Sequence, residues 1–207
     1  MSKSKNHIEK MEELLADLRA RELEEKQPIL EELQKLYQEQ PDETTALIYA
    51  KGLFNLTVDQ NLEGCEQTVE RLANLSSRFP ADSAIALRYA KCLLKLTVAQ
   101  DLEGCEHTVK ELANLSSRFP ADSSIALAYA KGLVNLSIVK ESSEELIGIS
   151  DKLEELFKRF PKSSEIAEQT SRLQLIIGEK SEGDEATKVA FAQALSYMNT
   201  RLPENNH

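Results

Sequence analysis

The chain has 207 residues, 41% hydrophobic and 29% charged, with a formal net charge of −10. That acidity argues against a general nucleic-acid binder, which needs a clustered positive field, and against docking on anionic membranes. No run of 18 apolar residues occurs, so no membrane-crossing helix is expected, and seven Gly with six Pro leave little room for long coil.

In chain order, the first stretch, HIEKMEELLADLRARELEEK (7–26), reads as one long charged helix. Charges return before any apolar core segment, so no secretory leader is expected. Pro28 then opens a short helix carrying Leu30, Leu33 and Leu36, since Pro suits a first helical position. From there the chain repeats itself. ALIYAKGLFNLT (46–57), ALRYAKCLLKLT (86–97) and ALAYAKGLVNLS (126–137) are spaced by 40 residues. Leu56–Ser83 and Leu96–Ser123 differ at only five positions: Asp59/Ala99, Asn61/Asp101, Gln67/His107, Glu70/Lys110 and Arg71/Glu111. A closing signal recurs as SRFP to Pro80 and Pro120, KRFP to Pro161 and TRLP to Pro203, with a degenerate QEQP at Pro41.

Each unit reads as two helices. Helix A follows the Pro, with Asp82 and Asp122 as candidate N-caps, and runs to about Leu96 in the second full unit. Helix B starts after Asn61 or Asp101, shows the helical apolar spacing Leu102, Cys105, Val109, Leu112, Leu115, and stops at Arg118-Phe119-Pro120. An Arg beside a helix C-terminus suits the dipole, so the series Arg78, Arg118, Arg159 and Arg201 has a structural explanation and no binding role. The tail follows suit, with SEIAEQTSRLQLIIG (164–178) as a helix A and Asp184 capping a last helix B. No strand-like alternation appears, so the fold class is all-α. The expected organisation is a single domain over 1–207. It comprises a divergent helix pair at 1–40, repeats at 41–80, 81–120 and 121–161, a capping pair at 162–203 and a tail at 204–207.

Helix A positions can be numbered from Glu43, Ser83, Ser123 and Ser164 as slot 1. Slots 3, 7, 10 and 14 of the second unit are Ile85, Tyr89, Cys92 and Leu96, and Ala86, Ala90 and Leu93 fill slots 4, 8 and 11. Such a helix is buried on most sides, whereas helix B has one apolar stripe and a broad charged face. An inner buried helix beside an outer amphipathic one describes an α-solenoid in which each pair covers its neighbour. Tyr49, Tyr89 and Tyr129 fall in the apolar set and read as packing residues whose hydroxyls reach a partner. Slots 2, 6, 9 and 13 share the remaining face. Slot 9 is basic throughout: Lys51, Lys91, Lys131 and Arg172. With Asn55, Arg88, Lys95 and Asn135 these form the candidate binding stripe, a basic surface that attracts an acidic or carboxylate-terminated peptide. Its alternative is a solvated stripe with no ligand.

The unit resembles a tetratricopeptide repeat lengthened to 40 residues. The large-small-bulky order of that family's helix A matches Tyr89-Ala90-x-x-Leu93, and its Pro after helix B matches Pro80 and Pro120. Ala46, Ala86 and Ala126 stand where the family pattern has Trp, and the added residues fall in TVDQN and TVAQD. The resemblance implies a right-handed α-solenoid superhelix of about five antiparallel helix pairs. It also implies peptide or partner-helix binding along the inner stripe of helix A.

Catalytic patterns are missing from the sequence. His7, His107 and His207 are scattered, and there is no Cys-x-x-Cys, His-Glu-x-x-His or Gly-rich phosphate loop. Cys65, Cys92 and Cys105, an odd count in an apolar register, fit buried reduced thiols in a cytosol. The expectation is therefore a non-catalytic, cytoplasmic protein–protein interaction module without cofactor or metal. The alternative is a scaffold that self-associates through its N-terminal helix.

Overall fold

The computed structural model describes residues 2–57, 62–98 and 100–180. Among the described residues there are nine α-helices and no strand: α1 (Ser2–Ala20), α2 (Leu23–Glu39), α3 (Glu43–Thr57), α4 (Leu62–Arg78), α5 (Ser83–Leu96), α6 (Leu102–Arg118), α7 (Ser123–Val139), α8 (Ser143–Arg159) and α9 (Ser164–Lys180). The four residues placed in slot 1 are the first residues of α3, α5, α7 and α9.

Local chemistry sets these ends. The Asp82 carboxylate accepts from the N–H groups of Ala84 and Ile85, and Asp122 does the same for Ser124 and Ile125. Asp101 accepts from the Gly104 N–H. Each cap satisfies donors that have no partner within the helix. The closing signal is a small device of its own. The N–H of Phe79, Phe119 and Phe160 donates back to Leu75, Leu115 and Leu156, and each Phe carbonyl accepts from the residue three further on. The preceding Arg lies over that Phe ring, at 5.9, 4.9 and 5.0 Å for Arg78, Arg118 and Arg159. The arginine series is thus held by cation–π contact as well as by its place at the helix end. Asn61, Asp184, Arg201 and Pro203 lie outside the described residues.

The N-terminal expectation needs correcting. The long helix breaks at Arg21–Glu22, and α2 begins at Leu23, ahead of Pro28. Glu22 is extended (φ −73°, ψ 161°), and its carbonyl accepts from Glu25 at 3.1 Å. Arg21 brackets the break with ion pairs to Asp17 and Glu25. Pro28 therefore sits inside α2, where it withholds one backbone hydrogen bond. Burial of Leu30, Leu33, Leu36 and Tyr37 below it offsets that loss.

The chain divides into two compact units, Met1–Ala99 and Gln100–His207. In the first, α3 is the central element, packed against α1, α2, α4 and α5. Helices α1, α3 and α5 stack in sequence, with α2 and α4 alongside as antiparallel partners. Gly52 permits this closeness: a Cβ there would stand 2.9 Å from Leu33 Cδ1 and 3.2 Å from Leu30 Cδ1. In the second unit α7 is central, packed against α6, α8 and α9. Its core gathers Val109, Ala130, Leu133, Leu153, Ile166 and Leu173, among others. No described helix is long and apolar enough to cross a membrane.

Candidate functional site

The slot pattern of helix A follows from its packing. Ile85, Ala86 and Ala90 have no exposed surface, and Tyr89, Cys92, Leu93 and Leu96 are buried. The stripe at slots 2, 6, 9 and 13 is less uniform than its spacing implies. Slot 6 is buried in three helices, at Ile48, Ala128 and Gln169. Only Arg88, half-buried, carries charge there. Slots 2, 9 and 13 lie nearer the surface.

The eight stripe residues have different surroundings. In the first unit Lys51 and Asn55 of α3 are half-buried, and Lys91 and Lys95 of α5 are exposed. The Lys91 amine lies 5.8 Å from the Phe54 ring centre. The Lys95 amine donates to the Thr57 carbonyl at the end of α3. A cation there answers the helix dipole, so this lysine has a structural task. Among the described residues the buried Asn55 Nδ2 has no hydrogen-bond partner. Arg88 reaches back to the Ala84 carbonyl at 3.5 Å. In the second unit Lys131 and Asn135 of α7 are half-buried, and Arg172 of α9 is exposed, with Nη1 3.4 Å from Gln169 Oε1. The fold thus brings Lys51 near the surface of the α3–α5 stack with Lys91, and Lys131 near that of the α7–α9 stack with Arg172.

Sequence reasoning missed a helix-end device. Thr57, Thr97 and Ser137, at one repeat position, each donate a hydroxyl to the carbonyl three residues back at 2.7 Å. The Ser137 carbonyl then accepts from Lys180 at 3.0 Å, as Thr57 accepts from Lys95. The repeated Thr/Ser at slot 15 was the available signal.

A concavity lies between α6 and α8, floored by α7, with a volume of about 480 Å³. Its floor is apolar, with Val109, Ala113, Leu136 and Ile149 around the half-buried Tyr129. Burial pushes the Tyr129 hydroxyl pKa up, helped by Glu155 and opposed by Arg159. At one end the buried Lys140 amine bonds both Glu106 and Glu145, and those bonds raise its pKa. Lys110 and Lys152 stand exposed on the rims, and among the described residues neither meets a carboxylate. Gly148 opens the α8 wall, since a Cβ there would touch nothing within 4 Å.

The three cysteines are buried and form no disulfide. Burial pushes Cys92 up to about 12, against the Thr57 hydroxyl 3.4 Å away, and also raises Cys105. Nucleophilic chemistry needs a thiolate, which burial opposes here. Among the described residues no three His, Cys, Asp or Glu side chains gather as a metal site.

Comparison of the chain with protein-family models, with curated proteins and with solved structures finds no match.

Proposed function

We propose that the chain is a non-catalytic protein-interaction module of the tetratricopeptide-like α-solenoid class, holding an acidic peptide segment along the stacked faces of its A helices. The observation that supports this is the stacking of α3 on α5 and of α7 on α9, each stack carrying two slot-9 cations: Lys51 with Lys91, and Lys131 with Arg172. In a chain of net charge −10, such paired cations draw carboxylates to each stack. Buried cysteines without a disulfide fit a reducing, cytoplasmic setting. The scaffold alternative is weaker, because Met11, Leu15 and Leu18 of α1 are already buried within the chain.

The test is affinity capture from the source lysate by the native chain and by a Lys51→Glu/Lys91→Glu/Lys131→Glu variant of equal helicity. A partner captured by the native chain and lost by the variant supports the proposal. A partner retained equally by both overturns the helix A site. Self-association detected by sedimentation, with no partner captured, favours the scaffold.

A further inference from the structure

The groove between α6 and α8 is separate from the helix A stripe. Tyr129 and Leu136 lie seven residues apart on one side of α7, whereas Lys131 and Asn135 share another side roughly 130° away at 100° per residue. The groove has the size of a ligand site, an apolar floor and charged rims.

Gly148 is the telling residue. A Gly in the middle of a helix costs about 1 kcal/mol relative to Ala, and is usually kept where a neighbour approaches. No neighbour approaches here: the space beyond Gly148 is open. Counting back from the closing Pro, the matching positions of α6 and α4 are His107 and Gln67, both with long exposed side chains. In α8 the missing side chain leaves the groove clear. The floor reinforces this, because no described residue bonds the Tyr129 hydroxyl, which therefore remains available to an incoming group.

The charges choose the occupant. Lys140 pairs with both Glu106 and Glu145 and offsets one of their two charges, and Lys110 and Lys152 turn the lining as a whole positive. Lys110 and Lys152 are uncommitted and face the groove from opposite walls. The nearly identical partner repeat carries Glu70 where α6 has Lys110, a full charge reversal at a rim position within otherwise repeated sequence. We infer that this groove is a second docking site, and that its occupant is a peptide segment of a partner protein inserting an apolar side chain over Tyr129, with acidic residues on either side paired to Lys110 and Lys152.

The experiment uses the full chain and a displayed library of random decapeptides. Enriched peptides are then labelled with fluorescein and titrated by anisotropy. Enriched sequences should join Leu, Ile or Phe to nearby Asp or Glu. Their affinity should fall about tenfold for Lys110→Glu/Lys152→Glu, and further for Gly148→Leu, which fills the groove. It should stay unchanged for Lys51→Glu/Lys131→Glu. The two rim substitutions are exposed and should leave the melting temperature unaltered, so their effect is legible even if Gly148→Leu perturbs α8. Enrichment without acidic residues, no enrichment above a bait-free control, or equal binding by the rim variant would each overturn the inference.

Discussion

Tyr49 and Tyr129 fill the same slot of helix A in different repeats, yet one is roofed and the other lies open. Over Tyr49, the Tyr37 ring from α2 stacks at 5.6 Å between centroids, and the Arg78 guanidinium lies 5.7 Å from the Tyr37 ring centre. Burial raises the Tyr49 hydroxyl pKa, and bonding by Arg71 opposes that rise. Counted back from the closing Pro, the counterpart of Tyr37 in α6 is Ser116, and the counterpart of Arg78 is Arg159. Arg159 makes the same reach back and bonds the Ser116 hydroxyl. A ring has become a hydroxyl at this position, and the half-buried Tyr129 faces a groove walled by Val109, Lys110 and Ala113 of α6 and by Gly148, Ile149 and Lys152 of α8. The helix frame repeats, while the side chains of helix B that face the slot 7 tyrosine differ from one unit to another.

The largest break in this comparison comes from removing the roof. Tyr37→Ala should destabilise the chain by about 3 kcal/mol, since it deletes a buried ring, a stacked pair and an arginine contact together. Urea denaturation followed by circular dichroism would show it. Hydrogen exchange should localise the loss to α2, α3 and α4. Ser116→Ala, at the matching position, should cost no more than about 1 kcal/mol.

The same substitution should have opposite signs at two glycines. Gly52→Ala places a methyl against Leu33 and Leu30, both fully buried, so overpacking of about 2 kcal/mol outweighs a helix-propensity gain of about 1 kcal/mol. Gly148→Ala meets open space and should stabilise by about 1 kcal/mol. Paired urea midpoints decide it. A stabilised Gly52→Ala would mean that Leu33 moves freely, contrary to a well-filled core.

Much of this frame was legible beforehand. The 40-residue spacing, the Asp caps and the closing Pro located α3 to α9 to within a few residues, because those signals are local. The break at Arg21–Glu22 was not legible: Pro28 was the conspicuous punctuation, and tertiary burial of Leu30 and Leu33 carried the helix through it. Within the stripe, the burial of slot 6 and the use of Lys95 as a helix cap depend on how helices pack, which periodicity on one helix does not encode. The α6–α8 groove draws on three helices at once. Gly148, an isolated Gly within a helical pattern, was its one visible trace.

Next in size is the ion cluster at the groove's end. Lys140→Gln should cost about 1 kcal/mol, because it strands Glu106 and Glu145 near each other at positions still open to water. Added salt should narrow the gap between native and variant, which a melting series in sodium chloride would show.

The smallest effect separates two helix starts. Asp42 and Thr45 cap α3 reciprocally: the carboxylate accepts from the Thr45 N–H at 2.9 Å, and the Asp42 N–H donates to the Thr45 hydroxyl at 3.2 Å. At the start of α7 the residue matching Thr45 is Ile125, so Asp122 caps in one direction only. The Thr45 N–H, with help from Gln40 and Thr44, holds the Asp42 carboxyl below its ordinary value. A carboxyl depressed in the folded state contributes stability that is present above its unfolded value near 4, and that is lost as pH falls through the folded value. Asp42→Asn keeps an acceptor oxygen but has no charge to lose. It should therefore remove a few tenths of a kcal/mol at pH 7, and the gap to the native chain should shrink progressively below pH 4. Urea midpoints at pH 7 and pH 3 would measure it. An Asp42→Asn gap that persists unchanged at pH 3 would place the cap's contribution in oxygen geometry alone, with the carboxylate charge adding nothing.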